Sequence, residues 1–228
     1  MANDSQLLER SVEIPPAGLA ADLHIPSGAK GLIIFAHGSG SSRFSSRNRF
    51  VAHVLQEAAF ATLLLDLLTP SEEKIDARTS QLRFDINLLA IRLVQATEWS
   101  AEDNVLRGLA PAYFGASTGA AAALIAAAEL SDHIQAVVSR GGRPDLAGPA
   151  LSRVKAPTLL IVGGDDVPVI KLNEKALVQL QCEKRLDIVP GATHLFEEPG
   201  TLEQVAGLAR DWFHHYVSLK FHATSTTT

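Results

Sequence analysis

The chain has a single cysteine, Cys182, among 228 residues. No internal disulfide can form, so the fold is expected to be independent of an oxidising compartment. It also lacks an excess of positive charge. Twenty Lys and Arg against 25 Asp and Glu leave a formal net charge of −5, which excludes the basic field that a nucleic-acid partner needs. No apolar run approaches the roughly 20 residues that span a bilayer, and the alanine-rich stretch 120–128 falls well short. Residues Met1 to Gln6 are polar, with neither the basic start nor the apolar core of a signal peptide. The expectation is a cytoplasmic protein with no nucleic acid and no membrane among its partners. What is present is 46% apolar and 20% charged, the usage of a globular domain long enough to bury one full core.

Turn signals and short apolar runs divide the chain into alternating elements. Residues 12–14 and 19–25 read as strands around the turn Pro15-Pro16-Ala17-Gly18. Strands are predicted over 32–36, 61–65, 111–114, 134–138, 158–162 and 184–189. Between them, helical spacing covers 48–59, 81–99, 120–130, 169–180 and 202–219. Continuous apolar strands alternating with helices mean a mostly parallel, twisted sheet with helices on both faces. We expect one α/β domain over residues 1–222 and a disordered, threonine-rich tail at 223–228. Between 138 and 158 the sequence offers a loop, Gly141-Gly142-Arg143-Pro144-Asp145-Leu146, and at most a short helix. No cap domain fits there, and the site is expected to be an open cleft.

The chemistry is concentrated in Gly115-Ala116-Ser117-Thr118-Gly119, between a predicted strand and the alanine-rich helix. A serine between glycines at a strand-to-helix turn is the nucleophile elbow pattern. The tight turn raises the hydroxyl above the sheet at a helix N-terminus, where backbone N–H groups face a developing oxyanion. A strand ending in Gly163-Gly164-Asp165-Asp166 follows, and after it a strand running into Pro190-Gly191-Ala192-Thr193-His194. The order Ser, Asp, His is that of the α/β-hydrolases. Upstream, His37-Gly38-Ser39-Gly40 follows strand 32–36, the position of the loop that gives the second oxyanion N–H.

These residues resemble the dienelactone hydrolase-like branch of the α/β-hydrolase superfamily from about residue 20 to 217. The likeness rests on His37 to Arg43, Arg47 to Ala52, Leu63 to Thr69 and the elbow. It extends through Ser139 to Asp145, Gly163 to Asp166 and Gly191 to Phe196. Dienelactone hydrolases carry cysteine where this chain has Ser117, and the departure favours a general serine esterase. The resemblance aligns Asp166, rather than its neighbour Asp165, with the triad acid. Similar sequences also occur beside phosphoribosyltransferase domains, but this chain has no phosphoribosyl-binding loop.

The roles follow. A serine hydroxyl is a weak nucleophile without an adjacent base. Ser117 attacks and His194 moves the proton. Asp166 orients His194, while Asp165 has the alternative of turn hydrogen bonds. Ser39 and Thr118 give backbone N–H groups to the oxyanion, and His37 reads as a residue that fixes its loop. Of the arginines expected near the strand ends (Arg43, Arg47, Arg49, Arg140, Arg143), Arg43 or Arg143 is the candidate to bind a substrate carboxylate. The expected substrate is a small-molecule ester of short acyl chain, with thioester or lactone cleavage as the related alternative. No metal or cofactor is called for, and a homodimer is compatible with the sequence. Two rivals remain. Gly38-Ser39-Gly40 with Asp66 at the next strand end would suit a dinucleotide, although Arg43 stands where the third glycine belongs. A catalytically idle binding protein of the same fold is the other.

Overall fold

The computed structural model describes residues 8–217. The predicted tail at 223–228 and the last residues of the final predicted helix lie outside them. Eight strands form one open sheet: β1 (Leu8–Ile14), β2 (Leu19–Ile25), β3 (Leu32–Ala36), β4 (Ala61–Leu65), β5 (Pro111–Ala116), β6 (Val137–Arg140), β7 (Thr158–Gly163) and β8 (Lys184–Val189). Their order is β1-β2-β4-β3-β5-β6-β7-β8. β2 is antiparallel to both β1 and β4, and every other pairing is parallel.

Strand periodicity sorts the core into two layers. In β3, Leu32, Ile34 and Ala36 face one cluster, and Ile33 and Phe35 face the other. The first layer is closed by α3 (Ile86–Glu102), α4 (Thr118–Glu129) and α5 (Val167–Gln179). The second is closed by α1 (Ser46–Glu57) and α6 (Thr201–Tyr216). Helix α4 is buried along almost its whole length, which explains its run of alanines: small side chains let it lie close to the central strands. No helix among the described residues is long and apolar enough to cross a membrane.

Four elements differ from the sequence expectation, β1 by starting at Leu8 rather than at residue 12. Helix α2 (Pro70–Thr79) has no counterpart in the sequence expectation. It is polar, and its one large apolar residue, Ile75, is 50% exposed. Its start is fixed by Pro70 and by a capping box, with the Thr69 hydroxyl accepting from the Glu72 amide and the Glu72 carboxylate accepting from the Thr69 amide. The predicted helix at 81–99 is a short 3₁₀ turn (Leu82–Phe84) followed by α3, whose N-cap is Asp85. Strand β6 runs two to three residues later than 134–138, so that Ser139 and Arg140 belong to it. Between β6 and β7 there are only 3₁₀ turns (Pro144–Arg153) kinked at Gly148, in keeping with the absence of a cap domain.

Candidate active site

Ser117 stands between β5 and α4 with φ 51° and ψ −121°. A non-glycine residue at positive φ costs about 1–3 kcal/mol and persists only where its surroundings impose it. Here the Ser117 N–H donates to the Arg140 carbonyl at 3.2 Å, and its own carbonyl accepts from Ala120 and Arg143 amides, each at 3.1 Å. The flanking glycines are sterically required. A Cβ on Gly115 would lie 2.5 Å from Ala120 Cα, and one on Gly119 2.3 Å from the Ala36 carbonyl oxygen. The elbow is therefore wedged backbone-to-backbone between β3, β6 and its own helix.

The loops after β7 and β8 are stitched together in the same way. Gly164 N–H donates to Val189 O at 2.8 Å and Asp165 N–H to Ala192 O at 3.0 Å. This turns the Asp165 side chain to solvent and leaves Asp166 facing inward. Asp166 Oδ2 lies 2.7 Å from His194 Nδ1, with the carboxylate side chain only 13% exposed. The bond assigns the imidazole proton to Nδ1 and frees Nε2 as an acceptor. Arg140, whose carbonyl holds Ser117, is followed by Gly141, and a Cβ there would sit 3.6 Å from His194 Cε1. The His194 ring thus lies beside Gly141, the residue that follows the strand end holding the Ser117 amide.

His37 is buried and bridges two loops. Its Nδ1 donates to the Gly38 carbonyl at 2.9 Å and its Nε2 accepts from the Leu67 amide at 3.1 Å. Burial pushes its pKa below the ordinary imidazole value, against a smaller upward pull from the Gly38 bond and Asp66, so it stays neutral and structural. The following residues bring Gly38 against Ser117: a Cβ on Gly38 would be 2.9 Å from Ser117 Cβ. The Ser39 N–H donates to the Thr118 hydroxyl at 2.9 Å, a contact the sequence did not reveal.

Neither arginine named for a substrate carboxylate is free. The Arg43 guanidinium pairs with Asp66, lies 3.6 Å from Asp22 and covers the Phe44 ring. Its amide also donates to Asp66 at 2.6 Å. Arg143 forms a two-pronged bond to Asp145, both arms 2.9 Å, and reaches the elbow only through its backbone. Asp66 is thereby committed to Arg43, which removes the acid that a dinucleotide ribose would require. Beside the elbow lies a cleft of about 600 Å³ lined by the 37–45 loop, Leu68, Leu89 and residues of α2 and the 3₁₀ turn, among them Glu73 and Arg83. The unforeseen α2 is one wall of it. Cys182 lies on the far side, 3.8 Å from Thr158 Oγ1, with its thiol pKa raised by burial.

No family model matches the chain. A crystal structure of dienelactone hydrolase from Anabaena variabilis is 62% identical, covering 93% of this chain and 98% of that one, with a TM-score of 0.90. The chain belongs to the dienelactone hydrolase family of α/β-hydrolases. More distant members of the fold include Est1E from Butyrivibrio proteoclasticus, 15% identical with a TM-score of 0.74 over 90% of this chain and 98% of that one. A protein of Mycobacterium tuberculosis, provisionally named a phosphoribosyl transferase, is 56% identical over 214 residues and 93% of this chain. The match takes in 47% of that protein, so the chain spans about half the length of the curated relatives it matches.

Proposed function

We propose that this dienelactone hydrolase family member is a serine hydrolase that cleaves carboxylic esters through an acyl-enzyme. The observation that carries the reading is the Asp166–His194 bond set beside a strained Ser117 elbow. Ser117 Oγ attacks the ester carbonyl carbon while His194 Nε2 takes its proton. The tetrahedral intermediate collapses, the acyl–oxygen bond breaks and the alkoxide leaves with the proton from Nε2. Water then attacks the acyl-Ser117 ester by the same route, releasing the acid and restoring the hydroxyl. Asp166 holds the ring in the right tautomer and offsets the imidazolium charge. Atoms and charges balance with these residues and water.

The oxyanion is assigned to the N–H of Thr118, at the first position of α4, and to that of Ser39. The Ser39 amide is already spent on a neutral hydroxyl. An oxyanion competes well for it, because charge-assisted hydrogen bonds are roughly twice as strong as neutral ones. The cleft beside Gly38 mixes Leu68, Leu89 and Phe44 with four serines but is not lined by Ser117 or His194. The preference for a short acyl or alcohol group rests on the absence of a cap between β6 and β7 that would build a long apolar tunnel. Lactone hydrolysis is the second reading, favoured by the name of the 62% identical Anabaena protein; it uses the same steps with the leaving alkoxide tethered to the acyl group. The transferase name of the M. tuberculosis relative does not bear on these residues, because about half of that protein lies beyond the match.

The test is hydrolysis of p-nitrophenyl acetate, butyrate and octanoate, and of a simple lactone, by the wild type and Ser117→Ala. A pre-steady-state burst and loss of turnover on substitution support the acyl-enzyme. Turnover that survives Ser117→Ala refutes it.

A further inference from the structure

Arg140 ends β6 with its side chain directed away from the cleft, towards the first turn of α1. It is only 8% exposed. Its Nη2 lies 3.4 Å from Asn48 Oδ1, while its Nε and Nη1 donate to no protein group. No carboxylate pairs with it among the described residues. The charge that acts on it is of the same sign. Arg47, in the same turn of α1, bonds Glu197 through Nη1 at 3.1 Å and leaves its own buried Nε unpartnered. Burial, and then the charge of Arg47, push the Arg140 guanidinium down to about 10. It is still a cation at neutral pH. The first turn of α1 contains no acidic residue, so its positive dipole end adds to the two arginines rather than opposing them.

A buried cation without a counter-charge is costly, and the carboxylates of the neighbouring arginines are committed to them. Asp66 and Asp22 serve Arg43, and Glu197 is on the exposed side of Arg47. We infer that Arg140, Arg47 and the N-terminal turn of α1 form a binding site for a small oxyanion, of carboxylate or inorganic phosphate type. The planar fork of a guanidinium matches such a ligand. Ser45 caps the Asn48 amide of α1, and the helix contributes its positive dipole end and its first two amides, Ser46 and Arg47. The site adjoins the catalytic constellation through one bond, the Arg140 carbonyl to the Ser117 amide, but its arginines do not line the cleft. The assignment does not rest on the esterase reading.

The experiment is calorimetric titration of inorganic phosphate, and separately of acetate, into the wild type, Arg47→Met and Arg140→Met in a zwitterionic buffer of low ionic strength. One-to-one binding is expected in the wild type, weakened at least tenfold in Arg47→Met and lost in Arg140→Met. Absence of saturable binding in the wild type overturns the site, as does equal affinity in the wild type and Arg47→Met. The latter substitution is at a part-exposed residue and keeps the test valid if Arg140→Met does not fold. The source of the ligand is read from inhibition. Phosphate that competes with p-nitrophenyl hemisuccinate but not with p-nitrophenyl acetate identifies a substrate carboxylate as the natural occupant. Binding without competition against either identifies a free anion.

Discussion

The close approach of Gly38 to Ser117 yields a sharp test of how the oxyanion loop is positioned. Gly38 is not at positive φ, so Gly38→Ala carries no backbone penalty and acts through its methyl group alone. That methyl would lie 2.9 Å from Ser117 Cβ and 3.2 Å from the Ala116 carbonyl oxygen. The elbow cannot yield, because Gly115 and Gly119 already press on backbone. The 37–40 loop must therefore retreat by about half an ångström, taking the Ser39 amide with it. A displaced donor forfeits much of an oxyanion bond whose complete loss costs about 10²–10³ in rate, and misplacements near 1 Å cost about 10²-fold. We expect kcat for p-nitrophenyl butyrate to fall by about 10- to 100-fold with little change in KM, and stability to fall by about 1–3 kcal/mol as for other overpacked sites. Gly108→Ala, with no atom within 4 Å of the new methyl, is the neutral control. A folded Gly38→Ala protein with wild-type kcat would refute the role given to this loop. Gly119→Ala differs in kind: its methyl meets two carbonyl oxygens at 2.3 and 2.5 Å, and it is expected to prevent folding.

What the sequence revealed and what it hid divide along local and non-local information. The strands and the elbow were readable because each motif immediately follows an apolar run, and because fold chemistry constrains their order along the chain. Helix α2 was hidden from periodicity because it has no apolar face to count; its signal was the Thr69-Pro70-Ser71-Glu72 start. Missing it also concealed one wall of the cleft. The choice between Asp165 and Asp166 depended on which amide the Ala192 carbonyl would claim, a contact between two loops that neither segment shows by itself. The arginines were the least legible. Arg43 meets Asp66 across 23 residues, Arg140 meets Asn48 across 92 and Arg47 meets Glu197 across 150. The Ser39–Thr118 bond spans 79. A charged residue on a loop near the strand ends could be a substrate ligand or half of an ion pair, and only three-dimensional proximity decides between them.

The same proximity gives the remaining predictions. Asp166→Asn presents an amide to an imidazole that needs an acceptor, and should lower kcat by about 10³–10⁴, the scale of such a change in a serine-protease triad. Asp165→Asn, on an exposed side chain, should leave kcat/KM within about twofold, and steady-state kinetics in which the two variants were equally impaired would contradict the assignment. The last prediction concerns His37, whose pKa in the folded protein is depressed, chiefly by burial. In the unfolded chain it titrates near the ordinary value of about 6.5. Between the depressed value and 6.5 the unfolded state binds a proton that the folded state does not, so stability rises with pH across that window and is lost as the pH falls below about 6.5. The contribution of this one group is at most about 1.36 kcal/mol per pH unit. Urea midpoints at pH 5, 6, 7 and 8 should slope downward towards acid in the wild type and more weakly in His37→Gln, which is less stable at neutral pH because the bridge from Leu67 to Gly38 is altered. Parallel curves for the two proteins between pH 5 and 6.5 would mean that the buried imidazole is protonated in the folded state, and the tautomer assigned to the oxyanion loop would be wrong.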